Sequence, residues 1–396
     1  MSDRMTLFFE PLDVLQFRDH RPSDLGFHTL AESRFPLPSV FLGCIRTALF
    51  RALNADFYAR DEYFGIEEEW ARAFLGGRRA PGDLCPRGPL VARRANDVTA
   101  DTPAEKAIAP YLPPPLDLLA LASGEAEQLE DRHRFAIQQF RDLGDDAVRL
   151  HARGGVFKAL RGPIPWSAQQ PDKRAIPKML TLAGARRYRD ASMRGERTVA
   201  LGDDGCVEQS CLFEKETRVG IVRSPESMTA EDHMLYIKRP FRFTREHGFA
   251  VDVAAGNSDA RQRIVSLDNA VVPLGGKAHL ARLRVHEGAL LPADLVPAVE
   301  VSPEPGDCAL WFLTPMPVRA ELEHWPEGMS AVTGRAVRLG GIDMSKGEPK
   351  PLTPALPAGT VIHARNTTVN RVLRELGGDT EGTLRHGMGL AVTWAR

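Results

Sequence analysis

Thr6-Leu-Phe-Phe-Glu-Pro-Leu-Asp-Val-Leu-Gln-Phe17, followed after a polar loop by Val40-Phe-Leu-Gly-Cys-Ile-Arg-Thr-Ala-Leu-Phe-Arg-Ala-Leu53, is the stretch that decides the architecture. The first part is rich in β-prone residues and broken by Pro11, which predicts an opening strand with a kink. In the second, Phe41, Ile45, Ala48, Leu49 and Ala52 recur at helical spacing, and Ser39 stands where an N-cap precedes them. Strand, loop and helix in succession put the loop and the helix N-terminus at one end of a sheet. Phosphates are attracted to such a terminus because its first N–H groups lack internal partners.

Working outward, strands dominate the second half. Thr217–Val222, Met234–Phe243, Gly248–Val253, Ala278–Val285, Cys308–Leu313, Thr360–His363 and Leu390–Trp394 are β-prone, and several alternate apolar with charged residues. Few helical patterns separate them, chiefly Thr368–Leu376 and, earlier, the basic Pro177–Arg189. That mixture predicts an α+β fold with helices packed on one side of antiparallel sheets. A chain of 396 residues exceeds the size at which one core keeps growing, so two domains are expected. Polar residues and glycines thicken between Thr198 and Cys211, which places the boundary there. The expected division is an N-terminal domain, 1–200, with an irregular insertion around 76–175, and a C-terminal domain, 201–396.

Hydrophobic content of 43% and charged content of 26% are ordinary for a globular protein. Asp3 and Pro11 interrupt what would be the apolar core of a secretory signal, and no window reaches the length of a spanning helix. No membrane association and a cytoplasmic location are therefore expected. The cysteines Cys44, Cys85, Cys206, Cys211 and Cys308 are odd in number and form no Cys-x-x-Cys pair. Cys206 and Cys211 could supply two ligands, but the other half of a tetrahedral zinc site is not visible nearby. Free thiols, with no metal and no cofactor, are the expectation. Net charge is −1, yet from Arg132 to Ala200 there are 15 Lys and Arg against 6 Asp and Glu, a local balance of +9. Such a split suits one face for an anionic ligand and another for protein partners; the competing reading is a set of solvated helices.

Catalytic patterns are sparse. The histidines are isolated, no His-x-x-x-His pair occurs, and no Gly-x-Ser-x-Gly elbow is present. His20 or His28 is the candidate general base if the chain cuts RNA without metal. Gly275-Gly-Lys277 is followed by Ala278 rather than Ser or Thr, which leaves a hairpin turn or a ligand loop rather than a triphosphate-binding loop. Arg385-His-Gly-Met-Gly389 is a turn or a second ligand loop. Glycine beside arginine lets a backbone approach a phosphate, with a guanidinium fork to meet it. Arg18, Arg21 and Arg46 near the first helix, Lys215 and Arg218, and Lys277 with His279 are the further cations that folding would have to gather. Phe17, Phe27, Phe35, Tyr236 and Phe241 are candidates for stacking on bases, each with burial in the core as the alternative.

Seven short motifs fall in one order: Phe17-Arg-Asp-His-Arg-Pro22, Phe35-Pro-Leu-Pro-Ser39 with Gly43 and Arg46, Glu216-Thr-Arg-Val-Gly-Ile221, Leu235-Tyr-Ile237, Leu274-Gly-Gly276, Pro357-Ala-Gly359 and Gly387-Met-Gly389. From Leu7 to Trp394 this pattern resembles the third-subunit family of the Cmr complexes, type III-B CRISPR effectors of the RAMP superfamily. The resemblance implies two tandem ferredoxin-like, RNA-recognition-type domains and a C-terminal glycine-rich loop. It implies a non-catalytic subunit that holds the 5′ handle of the CRISPR RNA, docks on the large palm-domain subunit and touches the backbone RAMP subunit, with no direct DNA contact. Carried over by position, the RNA-contacting residues are Arg18, Asp19 and Arg21, then Ser39, Gly43 and Arg46, and His386, Gly387 and Gly389. With Lys215, Arg218, Gly275, Gly276, Lys277, His279 and Arg385 they make up the candidate site. Ser23 departs from the family, where an aromatic commonly follows the proline, and the terminal loop is poorer in glycine. The alternatives are a metal-independent RAMP endoribonuclease using His20 or His28, and the equivalent subunit of another type III complex.

Overall fold

The computed structural model describes residues 4–17, 30–120, 134–141, 164–166, 178–224, 226–227, 229–276, 279–296, 305–319, 328–343, 348–377 and 388–395. It is an α+β protein of antiparallel sheets and few helices, divided into two compact units. One unit comprises Met1–Ala109, Gln209–Leu290 and Gly340–Lys350; the other comprises Pro110–Glu208, Leu291–Leu339 and Pro351–Arg396. The expected division into 1–200 and 201–396 is thus not how the chain is partitioned. The reason lies in the first strand, Arg4–Pro11, whose two hydrogen-bonded neighbours are His247–Ala254 and Leu280–Glu287. An apolar run flanked on both edges by strands from the second half cannot close a sheet within the first.

The first unit is built on a six-stranded sheet in the order Val271–Pro273, Leu280–Glu287, Arg4–Pro11, His247–Ala254, Pro86–Arg94 and Ile108–Tyr111. Helices Pro38–Ala52 and Ser258–Val265 contact it and each other. Alternation along the first strand explains why its sequence is apolar throughout. Met5, Leu7 and Phe9 share one face, where Phe9 meets the helical Phe41 edge to face at 4.9 Å between centroids. Thr6 and Phe8, on the other face, are buried as well; the Thr6 hydroxyl donates to the Gly288 carbonyl at 2.9 Å. The strand expected to run kinked from Thr6 to Phe17 instead stops at Pro11, beyond which Leu15 forms an isolated bridge with Phe241. Pro240 splits the run expected as one strand into Ala230–Arg239 and Phe241–Phe243.

The second unit carries a four-stranded sheet, Met329–Val332, Val361–Thr367, Gly306–Phe312 and Ala391–Ala395. Helix Val369–Gly377 packs on the face holding Leu310, Phe312 and Ile362, and helix Leu182–Met193 places Tyr188 against Trp311 and Trp394 on the other. The basic stretch 177–189 expected as one helix is instead a strand, Lys178–Leu180, paired with Cys206–Glu208, and then the helix. Thr181 divides them, its hydroxyl accepting the Gly184 N–H at 3.2 Å as an N-cap. No helix among the described residues is long and apolar enough to cross a membrane. Within the expected insertion, residues 121–133, which hold the acidic stretch 124–131, together with 142–163 and 167–175 lie outside the described residues.

Candidate nucleic-acid interface

Helix Pro38–Ala52 begins two residues earlier than expected. Its N-cap is Leu37, Pro38 takes the first position where a missing N–H costs nothing, and Ser39 lies exposed inside the first turn rather than capping it. Gly43 is exposed in mid-helix, with open space where a Cβ would stand. Alanine there is expected to raise stability by about 1 kcal/mol, the ordinary helix preference for Ala over Gly. Thermal denaturation checks this, and a firmer fold that binds RNA as before would remove Gly43 from the interface. Arg46 is turned inward. Its Nη2 donates to the Gly77 carbonyl at 3.1 Å, its guanidinium lies 5.5 Å from the Phe50 ring centroid, and burial lowers its pKa. Arg46 therefore ties the helix to the loop at Gly77, beyond helix Glu69–Leu75, and its replacement would remove a structural lock along with a cation.

The double glycine forms the turn between Val271–Pro273 and Leu280–Glu287, closed by the Leu274 N–H donating to the His279 carbonyl at 2.8 Å. Gly275 adopts a φ of +83°, and a Cβ there would press on the Gln16 carbonyl and the Phe17 ring. The Gly276 N–H donates to the same Gln16 carbonyl at 2.8 Å, and the Arg34 N–H donates to the Phe17 carbonyl at 3.2 Å. The glycine turn thus grips the chain immediately before Arg18. Arg18, Asp19, Arg21 and Lys277 themselves lie outside the described residues, as do Arg385, His386, Gly387 and the proposed bases His20 and His28. Gly389 belongs to the second unit, where its N–H donates to the Pro315 carbonyl at 3.0 Å beside Met316.

Three residues before Gln16, Asp13 anchors an ion network. Arg218 donates from Nε to Glu216 at 2.7 Å and reaches Asp13 at 3.4 Å, while Arg242 bonds Glu216 and reaches Asp13 at 3.1 Å. Hydrogen bonds from Arg242 and then Arg218 hold the Glu216 carboxyl below its ordinary value, and Glu216 in turn raises the pKa of Arg218. His279 is in the same neighbourhood: burial lowers its pKa, Asp13 opposes this, and Arg218 and Lys238 add to it. The exposed Lys215 holds its Nζ 5.8 Å from the centroid of Phe241. The structure therefore brings Arg218, His279, Gly275 and Gly276 to one region with the base of the segment that opens at Arg18. Sequence reading missed Asp13 and Arg242, because only the register of Phe213–Lys215 against Phe241–Phe243 places Arg242 beside Glu216.

In the second unit four arginines of the basic block, Arg186, Arg187, Arg189 and Arg194, are engaged in internal pairs. Arg186 forms a two-point pair with Asp294 at 2.9 and 3.0 Å, Arg187 pairs with Asp204 at 2.6 Å, and Arg194 pairs with Glu196 at 2.5 Å. Among the described residues this stretch is no bare cationic face. None of the five cysteines is in a disulfide, and burial pushes the thiols of Cys44 and Cys308 up to about 12 and about 11. Among the described residues no cluster of His, Cys, Asp or Glu is placed to hold a metal ion.

The family model described as CRISPR-associated protein (Cas_Cmr3) matches residues 7–394. The chain belongs to the Cas_Cmr3 family. No curated protein sequence matches it. Among solved structures it is similar to a chain of the type III-B Cmr-beta complex bound to cognate target RNA and AMPPnP, seen by cryo-electron microscopy, at 14% identity and a TM-score of 0.47, covering 90% of this chain and 86% of that one. The same complex bound to cognate target RNA gives 14% and 0.46, with 91% and 86% covered. A chain of the Csm3–Csm4 subcomplex of the type III-A CRISPR-Cas interference complex gives 10% and 0.36, with 92% and 98% covered.

Proposed function

We propose that this protein is a non-catalytic, RNA-binding scaffold subunit of a type III-B CRISPR effector complex. It recognises the 5′ handle of the CRISPR RNA and docks onto the large palm-domain subunit and the backbone RAMP subunit. The Cas_Cmr3 match over nearly the whole chain carries this reading. The first unit supports it: its four adjacent strands Leu280–Glu287, Arg4–Pro11, His247–Ala254 and Pro86–Arg94, taken in chain order with helices Pro38–Ala52 and Ser258–Val265, run strand, helix, strand, strand, helix, strand, the succession expected of a ferredoxin-like, RNA-recognition-type module with other elements inserted. We take the second unit, with its terminal glycine loop, as the other half of a tandem pair.

In this reading the double-glycine turn positions the Arg18 segment against the guide, and Lys215 and Arg218 meet its backbone. The test is co-expression with the large subunit and sequencing of the RNA that co-purifies; guides sharing one constant 5′ end are expected. Lys215→Ala is expected to lower the slope of log affinity against log salt by about 0.7, the loss of one phosphate contact on a single strand. An unchanged slope removes Lys215 from the interface. Cleavage of labelled repeat RNA in chelator by the purified chain, abolished by His20→Ala or His28→Ala, would replace the scaffold with a nuclease.

A further inference from the structure

Phe35 is the one aromatic among the described stacking candidates whose ring the fold leaves open. Phe17 and Phe241 are buried in the core, whereas Phe35 is 47% exposed. It is also held firmly. Its ring stands edge-on to Phe213 at 5.5 Å and 81°, tilts against Phe241 at 5.6 Å, and meets Phe249 at 6.3 Å and 82°. The Arg34 N–H bond to the Phe17 carbonyl fixes the backbone just before it. Phe213, Phe241 and Phe249, the rings that support it, are themselves buried, so within this cluster of four Phe35 is the ring that reaches solvent.

The charge beside it is sorted by strand register. Phe213 pairs with Phe243, Glu214 with Arg242 and Lys215 with Phe241. Alternation therefore puts Phe213, Lys215 and Phe241 on the face that supports Phe35, and Glu214 with Arg242 on the other. Glu216 and Asp13 are engaged by Arg218 and Arg242. Phe35 and Lys215 both lie against Phe241, so a ring and an ammonium group flank one aromatic, with Glu214 on the opposite face and Glu216 and Asp13 paired.

Resting on the reading that this chain binds RNA, we infer that Phe35 and Lys215 form a single-nucleotide seat, in which one unpaired base stacks on the Phe35 ring and its phosphate meets the Lys215 ammonium. Stacking is indifferent to base identity, so this seat holds position along the strand and reads little sequence.

The test uses the assembled complex and synthetic copies of its co-purifying guide, each with one abasic nucleotide at a different position. Phe35→Ala is expected to weaken binding of the intact RNA about tenfold, within the range of one lost stacking contact, with an unchanged salt slope. Phe35→Trp is expected to keep the affinity. Phe35→Leu, which keeps the apolar contact with Phe213, is expected to lose it as alanine does. At one abasic position the wild type should lose the same tenfold, and Phe35→Ala should lose nothing more. If wild type binds and all variants bind alike, or if Phe35→Ala adds its full loss at every abasic position, the seat is overturned and the scaffold reading stands. If wild type binds no RNA, the scaffold reading itself falls and takes this inference with it.

Discussion

Alanine at Gly184 is expected to destabilise the second unit by about 3 kcal/mol or to prevent it from folding, the upper range for overpacking a tight contact. Gly184 lies in the first turn of helix Leu182–Met193, and a Cβ added there would lie inside the van der Waals shell of the Gly205 carbonyl oxygen. What it meets is backbone, and that backbone is pinned. The Gly205 carbonyl accepts the Thr181 N–H at 3.1 Å, the Gly205 N–H donates to Gly202 at 3.2 Å, and the Thr181 hydroxyl donates to the Asp204 carbonyl at 2.6 Å. Relief would require breaking the cap that starts the helix. Chemical denaturation followed by tryptophan fluorescence reads the effect, since Trp311 and Trp394 sit on the sheet that this helix covers; a midpoint close to wild type would show the contact to be slack.

Tyr188→Phe is expected to cost about 2 kcal/mol, the range of a hydrogen bond to a charged group lost in a buried setting. The Tyr188 hydroxyl donates to both oxygens of Asp117, at 2.7 and 2.8 Å, and the Asp117 side chain is fully buried. His363 Nε2 stands 4.0 Å from the same carboxylate. The ring itself stays packed in the variant, edge-on to Trp311 at 5.5 Å and Trp394 at 5.9 Å, so the loss isolates the hydroxyl. A double-mutant cycle with Asp117→Asn separates the two contributions. If Tyr188→Phe costs as much beside asparagine as beside aspartate, the carboxylate is not what the hydroxyl serves.

Much of the local structure was legible because its causes are local. Pro11 breaks the β-prone run, apolar spacing from Phe41 to Ala52 sets the first helix, and the double glycine makes a hairpin turn. What escaped was pairing at a distance. No local signal places His247–Ala254 beside Arg4–Pro11, or Cys206–Glu208 beside Lys178–Leu180, and so the unit boundaries and the start of helix Leu182–Met193 were misplaced. The candidate site follows the same division. Arginine-rich and glycine-rich segments were visible as residue types, but their partners were not. Arg186 finds Asp294 across 108 residues of sequence, and Arg46 finds a carbonyl rather than an acid. A charge count registers cations and says nothing about which of them the fold has already neutralised.

The interleaving of the two units bears on how the protein is made. While it leaves the ribosome, the Leu7-Phe-Phe9 segment has neither flanking strand until synthesis has passed residue 254 and lacks the second until it has passed residue 287, so for most of translation a sticky β edge stands open. Any nascent chain halted before that point would carry it permanently. Late completion of this central strand makes the quality of the whole molecule depend on its final third.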